Sequence, residues 1–241
     1  MSKSDPRFAA NIPTLGGRES GSQLEYTTGT ISNLTWDDSP TYPDPGNSVF
    51  FWGQPSGILN ISKCVSDWRE GPRAASTSTL AIMNIDQCFI NTVGKSGDHA
   101  DGIQWFLAAG AVSTVNITNT CFRIYDNAEA VATYGAGFVE SDAIFWSDNS
   151  QGNLSFNNVL FWGGGGTGVG NEVQIHIDAG GAGLTTNISF INCYFVPSPG
   201  NTVDLTIIPN GGTLNVLAWT NVVQATIVNG VIIPGAAIPH P

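Results

Sequence analysis

Beyond Arg123 the chain contains no lysine or arginine, and its 241 residues hold only eight of these against nineteen aspartates and glutamates. A net charge of −11 with so few cations cannot neutralise a run of phosphates, so nucleic acid is not an expected partner. A tightly held polyanion is disfavoured too, unless a metal ion or Lys63, Arg69, Arg73, Lys95 and Arg123 supply the positive charge. Charged residues of both signs make up only 11%, which argues against helices with solvated faces. No apolar run reaches the length of a membrane-spanning helix, so no membrane partner is expected. The N-terminus, Met-Ser-Lys-Ser-Asp-Pro, lacks the apolar centre of a signal peptide, so either the chain is made without export or a leader has been removed. Four cysteines, Cys64, Cys88, Cys121 and Cys193, form no C-x-x-C pair and have no histidine at zinc spacing.

The chain is nevertheless 41% hydrophobic, enough to bury a core. Residues 1–23 are polar and glycine-rich and read as an N-terminal arm or cap. From residue 24 to 233 one short pattern recurs. Its anchors are Ile31, Ile61, Ile85, Ile117, Phe156, Phe190 and Val216, spaced 24 to 39 residues apart. Two residues after each anchor stand Asn33, Lys63, Gln87, Asn119, Asn158, Asn192 and Ala218; three after stand Leu34, Cys64, Cys88, Thr120, Val159, Cys193 and Trp219. Apolar positions fall at −2 and 0 before the amide and at +3 and +5 after it. A plain strand would keep a period of two. The residue at +2 therefore marks a bend, and asparagine tolerates the left-handed backbone that a bend needs. Stacked amides would then hydrogen-bond from copy to copy.

A further strand precedes most anchors by about a dozen residues, among them Gly102-Ile103-Gln104-Trp105, Ala143-Ile144-Phe145-Trp146 and Val173-Gln174-Ile175-His176-Ile177. Each repeat thus reads as strand, turn, strand, amide bend, strand, loop. The expected fold is all-β: a right-handed parallel β-helix of about seven rungs, with a C-terminal tail at 234–241 that covers its end or docks on a neighbouring subunit. An antiparallel jelly roll explains the short strands but not the recurrent bend.

The amide ladder and the Asp101-Gly102-Ile103-Gln104 rung resemble the pectate-lyase-like β-helix superfamily over roughly residues 24–233. That superfamily includes polysaccharide lyases, glycoside hydrolases and phage tail or capsid spikes. The resemblance implies a substrate groove on the first-strand face and, in a lyase, an Arg or Lys base with acidic calcium ligands. No lyase or hydrolase signature is matched residue by residue.

On that face the repeat would bring together Arg73, His99, Asp101, Gln104, Glu140, Asp142, Glu172, Gln174 and His176. Asp101, Glu140, Asp142 and Glu172 suit Ca²⁺, a hard cation that takes several oxygens; no other cofactor is expected. Arg73 or His99 would then abstract a proton beside a uronate. Two of the carboxylates could instead serve as acid and base of a glycosidase. The catalytic candidates are accordingly His99, Asp101, Asp142 and Arg73. The ligand-binding candidates are Gln104, Gln174, His176 and two tryptophans near loops, Trp68 and Trp162. The competing reading is structural: Asp101-Gly102 is also good turn chemistry before a strand. Gly163–Gly166 lacks a following P-loop lysine and reads as a flexible turn. Cys64 and Cys88 should stack as reduced core thiols. Asn33, Asn60, Asn116, Asn153 and Asn187 begin N-x-S/T triplets, which the repeat produces by itself.

Two functions compete. One is a non-enzymatic surface module, a virion decoration, spike or tail-associated protein that attaches to a capsid or tail protein through its N-terminal arm, binds glycans, lies on a virion or cell exterior and forms a homo-oligomer. The other is a polysaccharide lyase or glycosidase. Fold alone does not choose between them.

Overall fold

The computed structural model describes residues 17–19, 24–26, 28–36, 49–53, 57–66, 70–76, 81–95, 101–107, 112–147, 150–165 and 174–241. Among the described residues the protein is all-β apart from one short helix. Among the described residues its strands form a thirteen-stranded sheet, a seven-stranded sheet and a two-stranded antiparallel pair. The seven-stranded sheet runs Leu24–Tyr26, Val49–Gly53, Glu70–Ser76, Ile103–Leu107, Ile144–Trp146, Ile175–Asp178 and Leu205–Ile208, all parallel and in chain order. Gly17–Glu19, in the segment expected to be an arm or cap, is the edge strand beside Leu34–Trp36 of the larger sheet.

In the larger sheet Ile31, Ile61, Ile85, Ile117, Phe156 and Phe190 are successive Cα partners, so six of the seven anchors stand in register. The seventh is corrected. Val216 pairs with Ile188, and Trp219 takes the place opposite Phe190. The last copy holds one extra residue, Leu217, which is displaced at a bulge and left 68% exposed. The bulge keeps Trp219 against the core and moves the bend from Ala218 to Asn221.

The bend itself is left-handed in every copy. Asn33, Lys63, Gln87, Asn119, Asn158, Asn192 and Asn221 have φ between 49° and 57°. Five of these seven are asparagine, the residue other than glycine that enters this region most readily. Inward of the bends, aromatic rings stack from copy to copy. Phe122, Phe161 and Phe195 form one column, with centroids 5.4 Å and 4.6 Å apart; Phe156 and Phe190 form another at 4.5 Å. Outward, amides form ladders. Asn84 Nδ2 donates to Asn60 Oδ1 at 2.8 Å and Asn116 Nδ2 to Asn84 Oδ1 at 2.9 Å. A parallel column links Thr114, Asn153, Asn187 and Asn215 at 3.2, 2.9 and 2.9 Å. Four of the N-x-S/T asparagines, Asn60, Asn116, Asn153 and Asn187, are therefore ladder members.

All four cysteines are buried and in no disulfide. Burial pushes the Cys88 thiol up and raises Cys193 to about 12, so these two thiols stay protonated and unreactive at neutral pH.

The helix, Asn127–Tyr134, follows Arg123 and starts at Asp126, whose Oδ1 accepts from the Glu129 N–H at 2.8 Å. Asp126-x-x-Glu129 is a capping-box signature legible in the sequence. Its buried Ala130 packs with Val93 and Phe138 in a small separate cluster. At the C-terminus, Val231–Ala237 folds back antiparallel on Thr213–Val228. Ile238 then packs on the main core, its N–H donating to Val222 O and its carbonyl accepting from Trp219 Nε1, both at 2.9 Å.

Candidate functional site

The expected site lies on the seven-stranded sheet. Its apolar positions behave as read. Ile103, Trp105, Ile144, Trp146, Ile175 and Ile177 are all within 2% of full burial, and the indoles of Trp105 and Trp146 stack at 5.7 Å. The register places Arg73, Gln104, Phe145 and His176 in one cross-strand column. Gly102 N donates to Asp142 O at 2.8 Å, which sets the Asp101-Gly102 and Asp142-Ala143 pairs one above the other. Arg73 is described by its backbone alone, and His99, Glu172 and Trp68 lie outside the described residues.

Among the described residues, four of the polar candidates are buried. Asp101 and Asp142 are each 3% exposed, Gln104 is 8%, and Gln174 is fully buried. Gln174 belongs to the packing of the turn: its Nε2 donates to Gly163 O at 2.8 Å and its Oε1 accepts from Asp204 N at 3.2 Å. Glycine at 102 answers to close approach. A Cβ there would lie 2.5 Å from Ala143 O and 2.9 Å from Phe122 Cδ1. The glycine of the Asp-Gly pair is thus required by the stacking of one strand entry on the next.

Asp178 is tied in the same way. Ser147 Oγ donates to its Oδ2 at 2.7 Å, Gly180 N to its Oδ1 at 2.8 Å, and His176 Nε2 lies 3.7 Å away. Burial pushes this carboxyl up, but the nearby His176 ring and the bonds from Ser147 and Gly180 outweigh it and hold the group below the usual carboxylate range. His176 itself lies against the Phe145 ring at 5.0 Å.

Trp162 is not a bare platform. The Arg123 guanidinium sits 4.1 Å from its ring and 4.2 Å from that of Tyr125. Arg123 also pairs with Glu129 on the helix and donates to Trp162 O at 3.3 Å. The cation thereby fastens the helix to the sheet. Glu140 N donates to Asn127 Oδ1 at 2.8 Å, and Glu140 so belongs to the same insert. The Gly163–Gly165 turn is held by Gly163 N to Val196 O at 2.7 Å and Gly164 N to Ser198 Oγ at 3.0 Å. Among the described residues no group of three His, Cys, Asp or Glu side chains is placed to hold a metal ion. Asp101, Glu140 and Asp142 do not make a calcium cradle between them.

Sequence reasoning missed two features. Asp86 receives Thr118 Oγ1 at 2.6 Å, Asn119 Nδ2 at 2.8 Å and Gln87 Nε2 at 2.9 Å, a carboxylate built into the amide ladder. Burial pushes it up, and these three donors bring it below its ordinary value of 3.8. A cleft of about 460 Å³ opens at the C-terminal end, lined by Val203, Leu205, Ile207, Trp219, Ile238 and His240 among others. The Trp219 and His240 rings meet edge to face at 6.1 Å. The tail's apolar, proline-broken composition was the signal for this end.

Comparison with protein families, with curated proteins and with solved structures finds no match to this chain.

Proposed function

We propose that the protein is a right-handed parallel β-helix of about seven rungs and serves as a non-enzymatic surface module. The parallel register from anchor to anchor and the recurrent left-handed bend support the helix reading. The setting we propose is a virion decoration, spike or tail-associated protein, in line with the low charge and the polar N-terminal segment. The observation that carries the non-enzymatic reading is the burial of Asp101 and Asp142 to 3% exposure each, with Gln174 and Asp178 bonded into their own turns. A general acid or a metal ligand must reach its substrate or ion, and side chains buried to this degree leave little surface for either.

The rival reading, a lyase or glycosidase on the same sheet, is favoured by one detail. Gln104 Oε1 is buried with no hydrogen-bond partner, in register with Arg73. Incubation with a panel of neutral and uronic polysaccharides, with and without Ca²⁺, separates the two. Release of reducing ends and the absorbance of unsaturated uronates are the readouts. No turnover is expected under any condition. Turnover that disappears in both Asp101→Asn and Asp142→Asn would make the protein an enzyme.

A further inference from the structure

Among the described residues the interior copies of the repeat bury their inward side chains; the last copy buries several of its own only in part. Ile175, Ile177, Ile188 and Phe190 have no exposed surface. Their partners one copy on, Leu205, Ile207, Val216 and Trp219, are only partly buried. Leu205–Ile208 has Ile175–Asp178 on one side and, among the described residues, no strand on the other. The fold-back of Val231–Ala237 reaches only Val223–Val228 and leaves the first half of Thr213–Val228 unpaired on that side. The end of the stack therefore presents a strand edge and an apolar floor, with the cleft between them.

The chemistry of what covers this floor follows from its charge. Residues 196–241 contain a single Asp or Glu, Asp204, and no Lys or Arg. A basic, acidic or phosphate-bearing partner finds only Asp204 and His240 to pair with here. Proteins block exposed edges with charged side chains, and this edge has none but Asp204. Five of the eight exposed large hydrophobics among the described residues, Ile208, Leu217, Val228, Val231 and Ile233, lie within this terminal stretch. In a two-fold contact each patch meets itself, so a protein of net charge −11 can pair with its own copy only through a face almost free of charge. This end meets that condition and offers an apolar surface and an open edge for its copy to match.

We infer that two copies of the chain associate end to end through the terminal repeat, the Leu205–Ile208 edge and the surrounding apolar floor closing on their symmetry mates. The inference stands on the end of the sheets and is independent of the functional reading above. Sedimentation velocity of the full chain across the micromolar range is the test. A dimer is expected. Ile208→Lys and Leu217→Lys alter side chains that are 43% and 68% exposed, so the fold should tolerate both, with an unchanged circular dichroism melt. Each should raise the dimer dissociation constant by about tenfold, because a lysine must be desolvated opposite its own copy. Ile58→Lys, at a side chain 52% exposed in an early repeat, is the control and should leave the dimer intact. A wild-type monomer throughout, or a dimer that Ile58→Lys weakens as much as the two terminal variants do, overturns the proposal.

Discussion

The two sheets wall one core but treat their polar side chains in different ways. On the larger sheet a polar residue bonds to its counterpart in the next copy: Asn60 to Asn84 to Asn116, Asn153 to Asn187 to Asn215, Asn192 to Asn221. On and beside the smaller sheet the polar residues with described bonds are held by groups unlike themselves. Gln174 holds a glycine turn, Asp178 holds a serine and a backbone N–H, and Gln104 Oε1 holds nothing. A repeated partnership maintains register, because a slip of one residue would break a whole column of amides. A solitary partnership fastens one loop. On the non-enzymatic reading proposed above, the acids and amides of the smaller sheet need no catalytic demand: loops enter there and each must be secured.

The largest expected effect breaks that contrast at the strand entry. Gly102→Ala sets a methyl group 2.5 Å from Ala143 O, a backbone atom held by its own ladder. We expect a loss of about 3 kcal/mol in equilibrium urea unfolding. A loss below about 1 kcal/mol would mean that the strand entries are not fixed to one another, and the structural explanation of the Asp-Gly pair would fall.

The sequence made the larger sheet legible because its signal is periodic. The anchors, the amide at the bend and the Cys64 and Cys88 alignment all follow from one motif repeated at 24 to 39 residues. The Val216 assignment failed because a bulge adds one residue without changing the composition of the segment, and only backbone pairing reveals that Leu217 is displaced. The smaller sheet was legible in its apolar half alone. Alternation correctly put Ile103 and Trp105 inside, but it also put Gln104 and Gln174 outside, where both are in fact buried. Alternation reports which side of a strand a residue occupies; whether that side is open depends on loops such as Gly163–Gly165, whose path has no periodic signature.

A middle-sized effect separates the two functions of the bend. Asn119 has φ 49°, donates to Asp86 and accepts from Asn158 Nδ2 at 2.8 Å. Asn119→Ala loses both bonds and places an alanine in the left-handed region, for an expected cost of about 2 kcal/mol. Asn119→Gly loses the same bonds but not the backbone conformation, and should recover about 1 kcal/mol of that cost. Equal losses in the two variants would mean that the ladder alone, and not the bend, selects asparagine.

The smallest effect contrasts two carboxylates by the sign of their pH dependence. Asp86 lies in the interior ladder, and its donors hold it below 3.8 against the pull of burial. An acid depressed by folding stabilises the native state above its unfolded pKa, and that contribution is lost as pH falls through the folded value. Asp204 lies at the open end, where burial raises it above 3.8. Its charge is a cost near neutrality, and the native state gains stability as pH falls through the raised value. Urea midpoints followed from neutral pH to about pH 3 should therefore decline less steeply in Asp86→Asn than in the wild type, and more steeply in Asp204→Asn. The two variants must move the slope in opposite directions. A shift of both in the same direction would mean that interior and end hold their carboxylates alike, and the contrast between a completed repeat and an open one would lose its electrostatic support.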